Sequence, residues 1–205
     1  MAVLGKSSSR SASGHAARGP SMLGGAYELW IALAAGVILT GVYGLVVVTT
    51  REIPPARELF GHGIGILGFI LMLMTETLYS LRKRSRRARW GSMASWLRFH
   101  IVTGLVGPYM VLLHSAWKFN GLAGVSMLFT VVIVVSGFVG RYIYTRIPRT
   151  IEGVEIESGL SVEALRRARR LMALWHTIHI PIGMALFAAA FVHAGAALYY
   201  ATFMK

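Results

Sequence analysis

Four histidines have the types and spacing to do chemistry. His100 and His114 lie in one long apolar stretch, residues 97–118, and His179 and His193 lie in another, residues 172–200. In both stretches the histidines are fourteen positions apart, and in both a glycine follows the first histidine by four, Gly104 and Gly183. An α-helix turns about 100° and rises about 1.5 Å per residue, so fourteen residues return to within about 40° of the starting face, about 21 Å further on. Each stretch, if helical, therefore presents two imidazoles on one side at two depths. Neutral imidazole is a common ligand of transition metals. Two imidazoles meeting across neighbouring helices can fill both axial positions of a haem iron, which closes the metal to substrate and favours electron transfer. The ligands are expected in the pairs His100 with His179 and His114 with His193. No catalytic residue is assigned.

The composition narrows the alternatives. The chain has 205 residues, 55% of them hydrophobic and 14% charged, with a mean hydropathy of +0.60. That is too little charge for the surface of a soluble domain, and it matches apolar runs of the roughly 20 residues needed to cross a bilayer. There are no cysteines, which excludes disulfides, thiolate-held iron–sulfur clusters and covalent c-type haem within the chain. The net charge is +13, but the basic residues fall between apolar runs. They read as topology determinants of a membrane protein and not as a nucleic-acid surface.

The elements that must position the histidines follow from the runs. Residues 1–25 read as a disordered basic tail containing His15, and 26–205 as one membrane domain. Spans are expected at about 26–50, 59–81, 97–118, 123–145 and 172–200. Pro54 and Pro55 break the chain after the first span. The segment 162–171 reads as a separate amphipathic helix after a Ser161 N-cap. Seventeen of the 21 Lys and Arg residues fall on one side of this arrangement and four on the other. The rule that positive charge stays inside then puts the N-terminus in the cytoplasm and the C-terminus outside. The expected fold class is an all-α integral membrane bundle of five transmembrane helices in the inner (cytoplasmic) membrane. Spans three and five run parallel, as the pairing of histidines requires.

Other residues fit around the pairs. Gly104, Gly107 and Gly183 leave backbone bare on the histidine faces, where a porphyrin would approach. Arg98 and Arg141 lie near the inner histidine level, where guanidinium groups can clamp haem propionates. His176 is a rival to His179, but its seventeen-residue separation from His193 puts the two about 100° apart around the helix. His62 and Glu76 are also fourteen apart. They share a face of span two, with His62 at the outer level and Glu76 at the inner, and suit proton exchange with a quinone or, for His62, a further haem. The polar stretch 146–171 is the expected docking surface for a redox partner. A reading of another class is a haem-free helical transporter or scaffold that uses Glu76 and the histidines as a proton or metal relay.

The two H-x13-H stretches on parallel spans resemble the di-haem b-type membrane cytochromes. These include cytochrome b of quinol-oxidising complexes and the ferric-reductase-like transmembrane proteins. Placement on spans three and five looks more like the latter, since the ligand helices of that cytochrome b are the second and fourth. The resemblance covers about residues 59–200. It implies two b haems with His100, His114, His179 and His193 as axial ligands, and electrons passing across the bilayer through them. No Pro-Glu-Trp-Tyr quinol-site motif is present, and no flavin or nicotinamide domain is expected within residues 1–205. The expected partners are therefore the lipid bilayer, a quinone, and a cytoplasmic iron–sulfur or flavin subunit within a multi-subunit complex.

Overall fold

The computed structural model describes residues 27–84, 91–146 and 162–203. The basic tail with His15, the middle of the basic connection near residue 87, and most of the 146–171 stretch lie outside them. The described residues form five helices and no sheet: α1 (Tyr27–Thr50), α2 (Leu59–Arg84), α3 (Met93–His114), α4 (Gly121–Arg146) and α5 (Val162–Phe203). All five are long and apolar enough to cross a membrane. In hydrocarbon a helix satisfies every backbone group within its own segment, so an apolar run of this length has few other solutions. The large apolar side chains face outward accordingly. Trp30, Val48, Ile38, Leu128 and Met184 are each more than 60% exposed, the distribution of a bundle whose solvent is lipid.

The bounds of α1, α2 and α4 match the expected spans within three residues. α3 starts and ends four residues early. Ser92 accepts the Ser95 amide at 3.1 Å and caps the start, which satisfies one of the free N–H groups of the first turn. The end is set by Ser115, whose amide bonds back to Val111 and Leu112, and by left-handed backbone at Ala116 (φ 45°) and Trp117 (φ 62°). His114 is therefore the last residue of its helix, not a residue set inside it. α5 differs more. The expected amphipathic helix and fifth span are one continuous helix of 42 residues. Between Val162 and Pro181 the segment contains no Gly or Pro, and its Ala, Leu, Arg and Met residues are strong helix formers, so nothing stops the helix at the membrane edge.

The helices pack as two walls. α2 and α3 form the tighter wall. Gly68 and Gly107 oppose each other, and a Cβ on Gly107 would lie 2.9 Å from Met72 Cγ and 3.0 Å from the Gly68 carbonyl. Small residues let membrane helices approach this closely. The Thr75 hydroxyl donates to Thr103 across the same contact at 2.6 Å, and Thr103 donates to the Phe99 carbonyl at 2.8 Å. α4 and α5 form the second wall. There the Trp175 indole lies directly on the bare backbone of Gly140 and donates to the Ser136 carbonyl at 2.7 Å.

The walls are joined at few places. α3 touches α4 along part of its length. Phe69 of α2 meets Phe187 and Phe191 of α5, with ring centroids 6.4 and 5.3 Å away. α1 lies against α3, where the Tyr109 hydroxyl and Thr40 are 2.5 Å apart. Thr40 already donates to the Gly36 carbonyl, so Tyr109 is the donor. α1 reaches α4 through an ion pair, Arg141 Nη1 to Glu28 Oε1 at 2.9 Å, with both side chains largely buried.

Candidate functional site

α3 and α5 are not among the closely packed helix pairs, yet their histidines come near each other in two pairs. His179 is within electrostatic reach of His100, and His193 is within reach of His114. These are the pairs expected from the spacing. They also fix the two helices as parallel, since 100 pairs with 179 and 114 with 193. Between the two levels lies the aromatic contact of Phe69 with Phe187 and Phe191. All four histidines are half-buried.

Three of the four imidazoles are held through Nδ1. His100 Nδ1 is 3.1 Å from the Thr75 carbonyl, and His114 Nδ1 is 2.8 Å from the Gly61 carbonyl. A carbonyl only accepts, so both rings carry their proton on Nδ1 when neutral and present the Nε2 lone pair. His179 Nδ1 is 3.0 Å from the Ser136 hydroxyl. That hydroxyl also receives Trp175 Nε1 at 3.1 Å, and Trp175 stacks on His179 with centroids 4.5 Å apart. An Nδ1–H bond to a carbonyl or similar acceptor is how metal-binding histidines are commonly oriented, with the other nitrogen coordinating.

The sequence gives no direct sign of these supports. Thr75 and Gly61 act through backbone carbonyls, which no side chain advertises. Gly65 is the residue whose role was most open to discovery, because Gly61, Gly63 and Gly65 alternate around His62. A Cβ on Gly65 would fall 2.6 Å from His114 Cγ and Nδ1, so the His114 ring rests on bare backbone. Ser136 is a small polar residue of the preceding span, and Trp175 lies one turn before His179 on α5 itself; those positions are the signal by which they could have been found.

The remaining expected residues are distributed as follows. A Cβ on Gly104 would meet only Thr75 Cγ2 at 3.5 Å, and one on Gly183 only Ile133 Cδ1 at 3.8 Å. These are ordinary contacts, so packing within the chain does not account for either glycine. Packing does account for Gly107, which is occupied by the α2 contact. Arg98 is exposed two residues before His100. The carboxylate beside Arg141 is Glu28. His176 bonds its own helix, Nδ1 to the Met172 carbonyl at 2.9 Å, and its ring meets Trp175 at 4.8 Å. His62 lies beside His114, ring centroids 6.5 Å apart, and Glu76 acts electrostatically on His100. Both are exposed, one at each level. The Tyr79 ring lies 5.0 Å from His100.

Among the described residues no group of three or more His, Cys, Asp or Glu could hold a metal. The histidines stand two by two between walls that are joined at few places. No known protein family, curated protein or solved structure matches the chain.

Proposed function

We propose that the chain is a membrane-bound b-type cytochrome that carries electrons across the bilayer through two bis-histidine haems. The observation that carries this reading is the nearness of His100 to His179 and of His114 to His193 between helices that are not closely packed, with Nδ1 tied in three of the four rings. Bound haem supplies a one-electron couple. The chain holds it through Nε2 of the paired histidines, leaves bare backbone at Gly104 and Gly183 one turn from the inner ligands, and shields the space between the levels with Phe69, Phe187 and Phe191. Haems held by these paired histidines would supply one-electron transfer and would leave no position at the iron for substrate.

On this reading the chain lies in the cytoplasmic membrane with its N-terminus inside and its C-terminus outside, the orientation that the charge asymmetry favours. It serves as a subunit of a redox complex between a quinone or external acceptor and a cytoplasmic iron–sulfur or flavin partner. The test is a reduced-minus-oxidised spectrum of the purified chain with a haem count. Two low-spin b haems per chain are expected. His114→Ala and His193→Ala remove the same one, and His100→Ala and His179→Ala the other. A chain purified from haem-replete cells without a b-haem signal rejects the reading in favour of a haem-free relay.

A further inference from the structure

The N-terminal end of α5 carries a charge pattern that haem binding does not use. Arg166, Arg167, Arg169 and Arg170 are all exposed. At about 100° per residue they cover an arc of about 160° on one side of the helix. The acid near them on α5 is Glu163, also exposed. Exposed Arg84 of α2 and Arg98 of α3 lie at the same end of the bundle. At the other end Arg51, Arg57 and Lys118 are offset by Glu52 and Glu58.

Distance decides what this patch meets. The level midway between His179 and His193 is residue 186, and Arg166 is twenty residues from it, about 30 Å along the helix. Centring instead on the apolar segment Arg166–Tyr200 gives about 25 Å. A bilayer reaches about 20–22 Å from its midplane including headgroups. Arg166 and Arg167 therefore stand beyond the lipid by about 3–10 Å, while Arg169 and Arg170 sit nearer the headgroup edge. A helix tilted by about 20° shortens these heights by only about 6%. Five residues beyond Arg170, on the same rigid helix, Trp175 stacks on His179.

We infer that the projecting end of α5 is the docking surface for an acidic soluble redox protein, which exchanges an electron with the site at His100 and His179 by way of the Trp175 side of α5. This rests on the proposed function. In the exchange the partner would be oxidised by one electron and a haem held by His100 and His179 would be reduced by one; no bond would form and no proton would move. Complementary charge raises encounter rates strongly at low salt and loses its effect as salt rises.

The experiment uses the full chain in neutral phosphatidylcholine nanodiscs, with fully reduced flavodoxin as the acidic protein probe and dithionite as the small-molecule control. Haem reduction is followed by stopped flow, and flavodoxin binding is measured separately. In Arg166→Glu/Arg167→Glu the bimolecular rate with flavodoxin should fall at least tenfold at low ionic strength and lose its salt dependence. The dithionite rate should be unchanged, and Arg166→Lys/Arg167→Lys should keep the wild-type rate. Equal rates for wild type and the glutamate variant overturn the inference. So does an effect that appears only with phosphatidylglycerol in the disc, which assigns the arginines to lipid headgroups. If the chain holds no haem, the proposed function fails and binding alone decides the surface: salt-sensitive binding lost in the glutamate variant supports it, and equal binding overturns it.

Discussion

Replacing Gly65 with alanine tests whether α2 seats His114. The added Cβ would lie 2.6 Å from Cγ and Nδ1 of the ring, where ordinary contact begins at 3.4 Å. The ring must move by about 0.8 Å. Moved along its hydrogen bond, Nδ1 goes from 2.8 Å to about 3.6 Å from the Gly61 carbonyl, beyond hydrogen-bonding range. Overpacking costs about 1–3 kcal/mol and the lost hydrogen bond about 0.5–1.5 kcal/mol. The gain in helix propensity returns about 1 kcal/mol. The net is a destabilisation of about 0.5–3.5 kcal/mol, concentrated at His114. Losing an orienting partner lowers the affinity of a histidine site for its metal by about 10–100-fold.

The matched control is two residues away. A Cβ on Gly63 would meet nothing within 4 Å, so Gly63→Ala should gain up to about 1 kcal/mol of helix stability and leave both sites intact. The assay is haem content per chain and the reduced-minus-oxidised spectrum. Gly65→Ala should lose the same haem as His114→Ala and keep the one lost in His100→Ala; Gly65→Val should do so more completely. Two haems with unaltered spectra in both Gly65 variants would refute the seat. Equal loss of both haems would make Gly65 a residue of general stability.

Two further outcomes follow from the second wall and from α1. Ser136→Ala removes the Nδ1 partner of His179 and leaves Trp175 its bond to the residue 136 carbonyl; haem titration should show the inner site weakened by about 10–100-fold and the outer site unchanged. Glu28→Ala leaves the largely buried Arg141 without its carboxylate, and should lower stability by about 3 kcal/mol. Thermal denaturation in detergent measures it, and an unchanged midpoint would mean that Arg141 is satisfied without Glu28.

The parts of this fold that were readable from sequence are those that local pattern determines. Apolar run length sets the helices, and the fourteen-residue spacing sets the facing pairs. What escaped depends on surroundings. The early end of α3 rests on left-handed backbone at Ala116 and Trp117, where no glycine marks the turn. The length of α5 rests on the absence of any break between a basic amphipathic segment and an apolar one, which a hydropathy boundary disguises as two elements. Gly107 and Gly104 look alike in sequence, both on the histidine side of α3, and only the position of α2 separates a packing glycine from one that packing leaves unexplained. Glu28 and Arg141 are 113 residues apart, and their pairing follows from tertiary packing alone.

The supports of the histidines do not cross the interval between the walls. His100 and His114 of α3 are oriented by carbonyls of α2, and His179 of α5 by a hydroxyl of α4. Each wall therefore sets its own rings. The supports also differ in kind. A backbone carbonyl survives any substitution of its own side chain that keeps the helix, so His100 is insulated from side-chain change at Thr75. Ser136 is a side chain, so evolution or design can alter the orientation and basicity of His179 by changing one residue. On the proposed function, a haem at His100 and His179 would be the one whose potential is open to tuning, through the α4 side of the site. That site is also the one nearest the basic end of α5, where a soluble partner would have to match it.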